Sequence, residues 1–103
     1  MVRLSPKDPA ETKMLVFDFD GELGPGEVIL QASVEVAVLA GTDPTPQDMR
    51  VGLPIVALGG RRVFQAIGGG VLLVDYHLRC LASTNIDPQL THLASAKLPV
   101  RRL

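Results

Sequence analysis

Val28-Ile29-Leu30-Gln31-Ala32-Ser33-Val34-Glu35-Val36-Ala37-Val38 decides how this chain is read. Val28, Leu30, Ala32, Val34, Val36 and Val38 recur at period two, with Gln31, Ser33 and Glu35 between them. Successive side chains of a strand point to opposite faces, so the pattern predicts a β-strand with one side on a core and the other in water. Upstream, Met14 to Phe19 alternates as well, with Leu15, Phe17 and Phe19 opposite Val16, Asp18 and Asp20, as an edge strand with one wet face would. Downstream, Val71 to Ser83 sets Tyr76, Leu78, Cys80 and Ala82 against Asp75, His77 and Arg79. The residues expected to point inward are Phe17, Leu30, Val34, Val36, Tyr76 and Leu78.

Ten glycines and eight prolines cut the chain into pieces too short for ordinary helices. Gly21 to Glu27 reads as a loop, and Gly41 to Asp48 as an exposed connection without a helix. Met49 to Leu58 and Arg62 to Ile67 are β-leaning runs joined by Gly59-Gly60-Arg61, which suits a hairpin. Pro54 lacks an N–H for an interior ladder and moves the first of these runs to an edge or a bulge. Asn85-Ile86-Asp87-Pro88 supplies a turn, and Leu90 to Val100 makes the last strand. Short strands at this spacing point to an all-β sandwich rather than a βαβ unit. At 103 residues, area scaling gives about 5,600 Å² of folded surface, enough for one modest core and not two. The expectation is a single domain over residues 1–103, with residues 1–12 as an extended lead.

Composition narrows the function. Ten basic and eleven acidic residues give no electrostatic footprint for nucleic acid, and four aromatics without Trp offer no base-stacking platform. No apolar run reaches the roughly 18 residues of a membrane span, and the opening residues lack the apolar stretch of a signal peptide. Cys80 is the single cysteine, which leaves no internal disulfide framework and no multi-cysteine metal site.

Several motifs suggest chemistry. Met14 to Leu23, containing Asp18-Phe19-Asp20-Gly21, resembles the opening motif of the haloacid-dehalogenase phosphotransferases. That resemblance implies Asp18 as nucleophile, Asp20 as general acid/base and a bound Mg²⁺. Glu22 departs from the pattern, the chain is too short for a doubly wound sheet, and no later Lys and paired-Asp segment follows. Gly68-Gly69-Gly70 has no Gly-Lys-Ser/Thr and no helix to make a phosphate cradle. Asp75, His77 and Ser83 lie along one strand, where they cannot surround a carbonyl. His77 and His92 are too few for a zinc site, and Cys80 falls on the apolar face of its strand. No catalytic, cofactor-binding or metal residue is expected.

Charge position is more telling. Residues 1–48 carry nine acids against three bases, a balance of −6, and residues 49–103 carry two acids against seven bases, +5. The asymmetry supports either attraction between copies in a ring or an internal match between neighbouring strands. For contacts between chains, the candidates are Arg61 and Arg62 at the hairpin turn and Arg101 and Arg102 in the tail, with Glu22 and Glu27 as counter-charges. Val71 to Val74 and Leu53 to Leu58 are continuously apolar, so one core covers only one face of each, which implies partner surfaces.

Ser5-Pro6-Lys7-Asp8-Pro9-Ala10-Glu11, the alternating Val28 to Val38, the glycine-rich turn and Asp75-Tyr76-His77-Leu78 together resemble small immunoglobulin-like virion proteins encoded among bacteriophage tail genes. The resemblance spans most of the chain, and Tyr76 after a glycine turn is a tyrosine-corner-like feature of such sandwiches. It implies an immunoglobulin-like sandwich of about seven strands. The implied role is a non-enzymatic adaptor seating tail fibres on the tail, with other virion tail proteins and further copies in a ring as partners. It also implies assembly in the bacterial cytoplasm and residence in the virion. A head-completion or head-tail joining role is the alternative within that class.

Overall fold

The computed structural model describes residues 2–57, 59–86 and 89–103, so Met1, Leu58, Asp87 and Pro88, which fall within the expected lead, the Met49 to Leu58 strand and the last turn, lie outside the described residues. Among the described residues the strands are β1 (Val2–Arg3), β2 (Thr12–Asp18), β3 (Ile29–Ala40), β4 (Arg50–Val56), β5 (Arg62–Gly68), β6 (Asp75–Thr84) and β7 (Thr91–Pro99). They form a four-stranded sheet in the order β1-β7-β6-β3 and a three-stranded sheet in the order β2-β5-β4. All pairs are antiparallel except β1 with β7. This is an immunoglobulin-like sandwich whose first strand lies on the four-stranded sheet. Its accessible surface is 5870 Å², close to the scaling expectation. No helix among the described residues is long and apolar enough to cross a membrane.

The alternating residues of β6 behave as their period requires. Tyr76, Leu78, Cys80 and Ala82 are fully buried and pack between the sheets with Phe17, Val34, Val36, Val63, Ile67 and Leu98. The Tyr76 hydroxyl donates to Asp43 Oδ2 at 2.7 Å and accepts from the Val71 N–H at 2.8 Å, five residues upstream, which makes a tyrosine corner. Burial, and then the Asp43 carboxylate, push the phenol up to about 12.

Three expectations are corrected. Leu30 points outward and is 60% exposed, while Ile29 is buried. Ile29 pairs with Thr84 and Gln31 with Ser83, so Leu30 is the extra residue of a β-bulge and the face alternation reverses there. Val71 to Val74 is a turn, because the chain must fold back for the Val71 N–H to reach the Tyr76 hydroxyl. Leu73 adopts φ 70° in that turn. The extended lead is tied to the sandwich: β1 pairs with β7, and Lys7 bridges Val100 with its ammonium donating to the carbonyls of Asp8 and Gly69. Pro46–Met49 forms a 3-10 turn at the end of the connection expected to lack a helix, and its last residue, Met49, is buried.

The remaining edges follow from local chemistry. β4 is an edge strand as Pro54 predicts, and its residues 52–54 bulge opposite Gln65 alone. Gly52 takes φ 74° in the bulge, and the buried Gln65 amide donates to the carbonyls of Val51 (3.4 Å) and Gly52 (3.2 Å). The Gly60 carbonyl accepts from the Ile29 N–H at 2.8 Å, and Gly60 itself has φ 68°. A Cβ at Gly60 would stand 2.7 Å from Val28 Cβ, so this hairpin closes only around a glycine.

Candidate interaction surface

Cross-strand register assembles the site. On the outer face of the three-stranded sheet, Met14 pairs with Ala66 and Ala66 with Val51. In the next row, Val16 pairs with Phe64 and Phe64 with Ile55. Directly paired residues share a face, so these six side chains form one apolar block, two rows deep and three strands wide. Met14, Val16, Val51 and Ile55 are each about half exposed, and Leu53, lifted by the bulge beside them, is 87% exposed. Within the block there is no charge. At one end, Asp18 pairs in register with Arg62, with carboxylate and guanidinium 3.4 Å apart.

The outer face of the four-stranded sheet has a different chemistry. Its rows run Gln31-Ser83-Thr91, Ser33-Leu81-Leu93, Glu35-Arg79-Ser95 and Ala37-His77-Lys97. Glu35 and Arg79 form an ion pair at 3.4 Å in the middle of that face.

Protein-family models, curated proteins and solved structures give no match to this chain.

The charged residues proposed from sequence do not gather into one surface. Arg61 and Arg62 stand at the start of β5, and Arg101 follows β7 near the other end of that strand, beside Lys7 and Gly69. Each is engaged within the chain: Arg61 with the Asp20 carboxylate, Arg62 with Asp18, and Arg101 with Asp75 at 2.9 Å. Glu22 and Arg102 are exposed. Glu27 is corrected from an exposed counter-charge to a buried one, 4% exposed. Its carboxylate accepts from the Gly24 N–H (2.9 Å) and the Thr84 hydroxyl (2.8 Å), with His92 Nε2 at 3.0 Å. The Gly24 N–H, then His92 and Thr84, hold the carboxyl down at about 2. Three bases of the second half thus meet acids of the first, Arg61 with Asp20, Arg62 with Asp18 and Arg79 with Glu35, while Lys97 and Arg101 meet Asp75 of their own half.

The chemical motifs have structural roles here. Asp18 Oδ1 accepts the Asp20 N–H at 2.9 Å, starting the 3-10 turn Asp20–Glu22, and this bond, then Arg62, lowers the Asp18 carboxyl below its usual range. Gly68-Gly69-Gly70 ends β5 and offers the Gly69 carbonyl to Lys7. At Asp75, burial raises the carboxyl, but Arg101 and Lys97 outweigh it and the net shift is downward. Burial pushes the Cys80 thiol up to about 12, far from a reactive thiolate. Among the described residues, no three His, Cys, Asp or Glu side chains converge as metal ligands would.

Sequence reasoning reached the Leu53 to Ile55 part of the apolar block but missed Val51 on the same strand and Met14, Val16, Phe64 and Ala66 on the other two. Their signal was two apolar parities on one strand: Met14 and Val16 beside Leu15 and Phe17, and Phe64 and Ala66 beside Val63 and Ile67.

Proposed function

We propose that this chain is a non-enzymatic structural component that works by being packed against other chains. We assign its setting to a bacteriophage virion, in the tail, where it seats tail fibres as an adaptor. The observation that carries the reading is the charge-free apolar block on the outer face of β2, β5 and β4. Exposed apolar patches of several hundred Å² are uncommon on chains that function alone and mark interaction sites. The engagement of Asp18 with Arg62 and of Asp20 with Arg61 supports the non-enzymatic part, since both carboxylates of the phosphotransferase-like motif are tied into a turn. The phage setting rests on the resemblance carried by Ser5 to Glu11, Val28 to Val38 and Asp75 to Leu78.

Mass spectrometry and density of purified virions test the reading. The expected result is this chain at fixed stoichiometry in the tail; its absence from purified particles overturns the setting. Mg²⁺-dependent hydrolysis of a phosphate ester, abolished by Asp18→Asn, overturns the non-enzymatic assignment.

A further inference from the structure

The apolar block has a shape as well as a chemistry. Along the central strand β5, Phe64 and Ala66 are consecutive outward residues, about 7 Å apart. By side-chain size the two differ: the large Phe64 is flanked by Val16 and Ile55, the small Ala66 by Met14 and Val51, and the 87% exposed Leu53 stands level with the midpoint between them. A two-fold axis lying in the face, across the strands and between these two residues, sets each Phe64 over the partner's Ala66. An isologous contact needs this kind of self-complementarity. Area agrees: the block with Leu53 exposes on the order of 600 Å² of apolar surface. Two copies closing on it remove at most about 1,200 Å², which reaches the lower edge of the range of stable specific interfaces.

We propose that the occupant of this face is a second copy of the same chain, docked sheet to sheet about that axis, with Phe64 as knob and Ala66 as hole. The proposal rests on reading the block as a contact surface and adds what covers it.

Sedimentation equilibrium of the full chain tests it. The native chain sediments as a dimer of micromolar or tighter affinity. Ala66→Phe fills the hollow and weakens the dimer by about a hundredfold or more, although it makes the face more apolar. Combining Ala66→Phe with Phe64→Ala exchanges knob and hole across the axis and restores the dimer. Circular dichroism of each variant checks that the sandwich is folded. A native chain monomeric at about 500 µM, or association undiminished in folded Ala66→Phe, overturns the proposal. The two readings fail separately. A monomeric native chain whose incorporation into virions is blocked by Val16→Lys with Ile55→Lys removes the self-contact and keeps the structural role. A dimer that never enters virions removes the virion role and keeps the self-contact.

Discussion

The two sheets of this sandwich share one core but turn opposite surfaces to the outside. The four-stranded sheet interleaves charge and hydroxyl groups with its few apolar side chains, and the Glu35–Arg79 pair sits near its middle. The three-stranded sheet has Met14, Ala66 and Val51 in one row and Val16, Phe64 and Ile55 in the next, with its charges displaced to the strand end at Asp18 and Arg62. Inward alternation is satisfied equally on both, so the fold does not require the difference. An antiparallel sheet needs only one apolar face, and a second one is surplus to folding unless something covers it.

The largest effect should come from the core both faces depend on. Val34 is 1% exposed at the centre of β3, and Val34→Asp buries an unpaired charge at a cost of several kcal/mol. Loss of the β-type circular dichroism spectrum is the expected outcome. Tyr76→Phe comes next: it strands the Val71 N–H and loses the bond to Asp43, and should cost about 1–3 kcal/mol in urea unfolding without altering association.

Acid should loosen the end of the sandwich where Glu27 joins the β2–β3 loop to Thr84 and His92. A carboxyl lowered in the folded state stabilises fully above its unfolded value, 4.5, and that contribution is lost as pH falls toward about 2. The melting temperature of the native chain should therefore fall between those pH values, and Glu27→Gln should start lower and fall less steeply over the same window. The smallest effect belongs to the charged face. Removing the exposed Glu35–Arg79 pair by Arg79→Ala should change stability by less than about 1 kcal/mol and leave the association state as it was.

Much of this fold was legible because strand period is a local property. Tyr76 to Ala82 faces inward as its alternation predicts, and Pro54 marks β4 as a bulged edge because a missing N–H is a fact of the residue itself. Leu30 misled because a one-residue bulge leaves composition unchanged while reversing every face upstream. Val71 to Val74 misled because its apolar side chains carry no turn signal; the Tyr76 hydroxyl, reaching back to Val71, sets that turn. The site was less legible than the fold. Met14, Phe64 and Val51 are distant in sequence and become one surface only through the pairing order β2-β5-β4. Arg61, Arg62 and Arg101 stood out in the sequence as unpaired charge, and only the fold brings Asp20, Asp18 and Asp75 beside them.

The most direct test moves the same two charges between the faces. Val16→Lys with Ile55→Lys places them on the apolar block, and Ala37→Lys with Leu93→Lys places them on the four-stranded sheet, all at exposed positions. Sedimentation velocity of the two folded variants against the native chain should show dimer loss, by about a hundredfold in affinity, for the first pair only. Equal loss from both pairs, or an undisturbed dimer with lysines at 16 and 55, would contradict the claim that the β2-β5-β4 face is where this protein meets its partner.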